Sequence, residues 1–165
     1  MSGFAMAVAR YLQSTWFAMF VGGSDWAYPF VQATHFTGLS FWVGTNVALD
    51  LRLMGLGKKR ETAAQLAKNL FVWNWVGFAI AITGGFLLFS SSATTYIPNP
   101  AFDLKLGVLL PVALILHVWV QRKAEDWGQT EEVTGPGKIA GLIELLLWIG
   151  VVTAAVSIPY FGGEG

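Results

Sequence analysis

No cysteine occurs anywhere in the sequence. That absence excludes disulfides, thiol nucleophiles, iron–sulfur clusters and thiolate-ligated haem. Histidine is nearly as scarce: with two among 165 residues, no second one stands beside His35 to support a zinc or copper centre, which needs three or four ligands together. Charge is scarce as well. Asp, Glu, Lys and Arg make up 12% of the chain, against about a quarter in a soluble domain. The two signs cancel to zero, so no basic surface invites nucleic acid.

Apolar residues are abundant. They form 55% of the chain, and the mean hydropathy is +0.56. Eight Trp and four Tyr suit a bilayer, where amphipathic rings settle at the interfaces. The fold class expected is therefore an all-α integral membrane protein whose first partner is the lipid bilayer. Four runs are long enough to cross a hydrocarbon core, which takes roughly 20 residues of helix. They cover residues 28–51, 70–89, 102–120 and 139–158 and predict a four-transmembrane-helix bundle in one domain. In IPNPAFDLK, Asn99 is placed as N-cap with Pro100 at the first helical position, and TGPGK (134–138) breaks the chain before the fourth run.

Residues 4–21 form a fifth apolar stretch. It lacks the basic start of a signal peptide, and Arg10 interrupts it. At helical spacing Arg10, Gln13 and Ser14 share one face, which predicts an amphipathic helix lying in the interface, with a fifth crossing as the alternative. Lys and Arg in the loops set the orientation. Lys58, Lys59, Arg60 and Lys68 follow the first run, and Arg122, Lys123 and Lys138 lie around the third loop. The middle loop, SSSATTYIPNP, carries none. Both basic loops are thus expected in the cytoplasm and both termini outside.

Polar residues within the runs carry most of the information, because each is costly there. Counted from the run ends at 1.5 Å per residue, Asn46, Asp50, Asn74, His117 and Glu144 all fall within roughly 10 Å of the inner boundary. Arg52 sits just beyond. This layer reads either as a hydrogen-bonded network joining the helices or as a proton path or quinone pocket.

His35 lies in the opposite layer, also roughly 10 Å deep. It has no carboxylate at its depth. One reading is a core histidine bonded to a nearby Ser or Thr; the other is an axial ligand of haem b, for which neutral imidazole is the usual donor. Gly38, three residues on, shares its face and is expected to clear room for a flat macrocycle. Lys105 opens the third run within snorkelling reach of the same surface. Trp42, Phe78 and Phe86 are candidate pocket walls. His117 is not expected to share a haem with His35, because the two differ in depth by roughly 10 Å on parallel runs.

HFTGLSFWVG (35–44) followed by DLR (50–52) is similar to the first-span motif of the CopD-like group of small bacterial membrane proteins, which includes the HemJ-type protoporphyrinogen oxidases. DLKLGVLLPVALILH (103–117) resembles their third span, where a Lys opens the helix and a His follows about three turns later. Together with YLQSTW, DLRLMGL, FVWNWVGF and NPAFDLKL, the likeness covers roughly residues 11–122. It is nearest to a family of four-span proteins within that group. It implies haem b on His35, assisted by Lys105 as second ligand or as propionate partner. The N-terminal helix and the Trp- and Asn-rich second run depart from the HemJ pattern. The expectation is a haem b protein of electron transfer, free-standing or as a subunit of a larger membrane assembly. A non-catalytic accessory subunit and a haem-dependent oxidase of a porphyrin or quinol are the alternatives. Glycines at 38, 44, 77, 84 and 141 allow close helix contacts within the chain or in a homo-oligomer.

Overall fold

The computed structural model describes residues 3–57 and 61–161, and all regular structure among them is helical. The basic run Lys58, Lys59 and Arg60, which the orientation argument uses, lies outside the described residues. Two short helices, α1 (Gly3–Gln13) and α2 (Trp16–Gly23), lead into α3 (Ala27–Leu53) and α4 (Ala63–Ser91). A single turn, α5 (Ala93–Tyr96), then precedes a rod made of α6 (Pro100–Leu104), a π-helical segment (Lys105–Leu109) and α7 (Leu110–Trp127). The last helix is α8 (Gly135–Phe161).

Three helices are long and apolar enough to cross a membrane: α4, the Pro100–Trp127 rod and α8. α3 is 27 residues long. Each of the four apolar runs falls inside one of these elements, which extends one to seven residues past it at either end. α4 begins at a capping box: the Thr62 hydroxyl accepts from Gln65 N at 3.2 Å, and Gln65 Oε1 accepts from Thr62 N at 3.0 Å. α6 starts as its sequence implies. Asn99 Oδ1 accepts from the amides of Ala101 and Phe102, and Pro100 fills the first helical position, where no N–H is needed. Asn99 Nδ2 also donates to Ile158 O at 2.8 Å, fastening α8 to the same end.

The expected single helix over 4–21 is instead two helices. Ser14 Oγ donates to Tyr11 O and Thr15 Oγ1 to Leu12 O, offering the last turn of α1 an alternative to continued helix. Thr15 is extended (φ −69°, ψ 150°) and starts α2. Gln13 does more than share a polar face with Arg10. Its Oε1 accepts from both Thr94 N and Thr94 Oγ1, docking α1 against α5.

The π segment has a cause in Pro111. Proline cannot donate to the carbonyl four residues back, and its ring would crowd that carbonyl in a regular helix. The turn ahead of it widens, and Leu110 N bonds to Lys105 O, five residues back.

α3 packs against α4 and α8, and α7 packs against the same two, so the four long elements close a ring in chain order. The α3–α4 contact is the tightest. A Cβ on Gly77 would lie 2.6 Å from Trp42 N, and one on Gly38 2.5 Å from Ala81 N. Close backbone approach over small residues is how helices associate where lipid removes the hydrophobic drive. Gly38 therefore opens no space for a macrocycle, as its spacing had suggested. The backbone of α4 occupies it. Gly44 faces open space.

Beyond α3, Gly55 and Gly57 turn the chain with φ of +85° and +91°, which side-chain-bearing residues rarely adopt. Arg52, buried at this end, donates Nε to Glu61 O at 2.9 Å and Nη2 to Glu131 O at 3.2 Å. One guanidinium thereby ties two connections.

The bundle is polar inside and apolar outside. Ile115 is 72% exposed while His117, two residues on, is 1% exposed. Phe30, Val72, Leu146 and Val156 also point outward, whereas Asn46, Asp50, Asn74 and Glu144 are buried. Water would not favour that inversion; a hydrocarbon surround does.

Candidate functional site

Two features lie in the ring of four helices, one above the other. The first is a cavity of about 680 Å³ walled by α3, α4, the π segment and α8. Its lining is mostly apolar, with Leu39, Val43, Phe86, Phe89 and Val151 among the contributors. The cavity brings together four of the residues singled out from sequence: His35, Trp42, Phe86 and Lys105. Gly38 is buried against α4 instead. Phe78 packs on Trp42 with ring centroids 4.7 Å apart and is not part of the wall.

His35 is half-buried, and its partner is neither Ser nor Thr. Nδ1 lies 2.7 Å from Ala81 O on α4. A carbonyl only accepts, so Nδ1 carries the hydrogen and the neutral ring keeps its lone pair on Nε2. Glycine makes this possible. A Cβ on Gly84 would sit 2.9 Å from His35 Cβ, and one on Gly85 would sit 3.0 Å from Cε1, so the imidazole lies flat along α4. Locking one nitrogen with a carbonyl is how proteins orient a metal-binding histidine. Lys105, half-buried on the π segment, makes no ion pair among the described residues.

The second feature is the polar layer expected from sequence, and the structure brings all four helices into it. His117 Nδ1 lies 2.5 Å from Glu144 Oε1, and His117 Nε2 lies 3.1 Å from Asn74 Oδ1. Asn74 Nδ2 donates to Asn46 Oδ1 and, at 2.9 Å, to Thr45 Oγ1. The Asp50 carboxyl neighbours that of Glu144, and neither Asp50 oxygen has a donor. All five residues are buried. Both nitrogens of His117 are engaged here, a firmer reason than depth for setting it apart from any ligand in the cavity.

Trp148 joins the two features and was not singled out from sequence. It lines the cavity, stacks edge-on to Trp42 at 4.8 Å, and donates Nε1 to Glu144 Oε1 at 3.2 Å. Its position four residues after Glu144, on the same helical face, was a usable signal. The Ala81 carbonyl left no trace in the sequence.

The described residues contain no group of three or more His, Asp or Glu able to hold a metal ion by themselves. A macrocycle that brings its own four nitrogens asks for one imidazole, and His35 Nε2 fits that donor role. No family model, no curated protein and no solved structure matches the chain.

Proposed function

We propose that the protein binds haem b in the cavity and serves in electron transfer, free-standing or as a subunit of a larger membrane redox assembly. One observation carries this reading: His35, locked through Nδ1 to Ala81 O, lines the same apolar cavity as Lys105. The volume lies within the roughly 300–1,000 Å³ of small-molecule and cofactor sites. Haem, when bound, supplies one-electron chemistry, and the chain supplies its environment. His35 Nε2 would ligate the iron. The Lys105 ammonium would pair with a propionate carboxylate, a partner that offsets the cost of its half-burial in an apolar wall. Phe86, Phe89 and Val151 keep water away. The likeness of residues 35–52 and 103–117 to the CopD-like, HemJ-containing group supports the same ligand. The absorption spectrum of protein purified after expression with ample haem tests the reading, and a Soret band is expected. A colourless protein would leave the accessory-subunit reading. Turnover of a porphyrin or quinol by coloured protein would make it an oxidase.

In this reading α3 is a fourth span and the N-terminal helix pair lies in the outer interface of a bacterial inner membrane. Both termini are outside, on the strength of seven Lys and Arg around two connections and none in SSSATTYIPNP. A C-terminal reporter active only in the cytoplasm should be silent. A bright signal would invert the orientation.

A further inference from the structure

We propose that the Asp50–Glu144 pair holds a single exchangeable proton, and that this proton site is coupled through Trp148 to the charge in the cavity. Hydrogen-bond accounting leads there. His117 faces an acceptor on each side, Glu144 Oε1 and Asn74 Oδ1. The Asn74 amide cannot be turned round, because its nitrogen faces the Trp42 carbonyl and Thr45 Oγ1, whose own hydrogen goes to the carbonyls of Phe41 and Trp42. Both His117 nitrogens therefore carry hydrogens, and Glu144 is the anion that receives one of them.

Asp50 then stands beside an anion. Both its oxygens and Glu144 Oε2 are buried without a donor. Two ionised carboxylates would offer each other only lone pairs. A proton on Asp50 makes the missing O–H···O bond to Glu144, and His117, Glu144 and Asp50 together become neutral. Glu144 then accepts from His117, Trp148 and Asp50.

A second set of unpartnered atoms shows where the alternative state is held. Asn46 Nδ2 is buried with no acceptor and lies one helical turn before Asp50 on the same face of α3. When the Asp50 O–H bond breaks and the proton passes to solvent, a side-chain rotation would give the carboxylate left behind that amide as its donor. Each protonation state thus has its own partner. Among the described residues the charged group set against Asp50 is Glu144 of α8, with His117 of α7 bonded to the other oxygen of that carboxylate and the Asn74 amide of α4 behind His117. Arg52, on Asp50's own helix, is turned to the Glu61 and Glu131 carbonyls.

The coupling rests on the proposed haem site; the proton site does not. Trp148 lines the cavity and donates to Glu144, the acceptor of the Asp50 O–H, so a positive charge in the cavity drives the Asp50 proton out to solvent, and an electron added there is balanced by its return.

Two measurements on the full-length detergent-purified protein decide the matter. Infrared spectra of the haem-free protein at neutral pH should show a carboxylic acid C=O band that shifts in D2O and is missing in Asp50→Asn. The wild-type band is decisive even if the variant fails to fold, and its absence overturns the proton site. In haem-loaded protein the midpoint potential should fall by about 59 mV for each tenfold drop in proton concentration, the value for one proton per electron. In Asp50→Asn it should not move. An acid band with a pH-independent wild-type potential overturns the coupling alone. A colourless protein overturns the haem reading, and the infrared band still decides the proton site.

Discussion

His35→Ala is expected to give protein that inserts and purifies but shows no Soret band after expression with ample haem. The ring contributes a single hydrogen bond to the fold, from Nδ1 to Ala81 O, and Gly84 and Gly85 leave the α3–α4 contact intact without it. The loss is therefore one of ligand rather than of structure. Lys105→Ala should retain the band but weaken haem retention by about 10- to 100-fold, the range seen when an outer partner of a metal site is removed. His117→Ala should keep the band, because both nitrogens of that ring are spent on Glu144 and Asn74. A full Soret band in His35→Ala would end the assignment of the ligand.

Glu144→Ala should be the most destabilising of the single-carboxylate changes. Glu144 is 0% exposed and receives hydrogen bonds from His117 and Trp148. Removing one partner of a buried pair strands the other, at a cost of about 3–5 kcal/mol. Glu131→Ala is the comparison. Its side chain is exposed, and the group Arg52 uses is its backbone carbonyl, which the substitution keeps. A change of about 0.5 kcal/mol or less is expected there. Thermal unfolding in detergent, followed by circular dichroism, measures both, and equal melting temperatures would remove the case for a cohesive polar layer.

The long helices were legible because uninterrupted apolar runs are the one pattern a hydrocarbon surround demands. The same surround blurs the helical period, since outward faces and packed faces are both apolar. The polar layer was legible for the opposite reason. Asn46, Asp50, Asn74, His117 and Glu144 are expensive residues at matched depth, and depth can be counted. What counting cannot supply is azimuth. It did not show that Trp148 would reach Glu144, or that His35 would find a carbonyl rather than a hydroxyl. Gly38 shows the limit most clearly. A missing side chain makes room, but the letter G does not say whether a ligand or a neighbouring helix takes it. The break at Ser14 and Thr15 was missed because an apolar run conceals two hydroxyls that bond their own backbone. The π segment was missed because Pro111 acts on the turn before it.

Arg52 bonds carbonyl oxygens of residues 61 and 131, and a carbonyl is the same at every residue. The guanidinium therefore registers where the two connections run and is indifferent to which side chains they bear. In kindred chains that keep this arginine, the letters of those two segments are free to drift, while insertions or deletions that displace either oxygen are not.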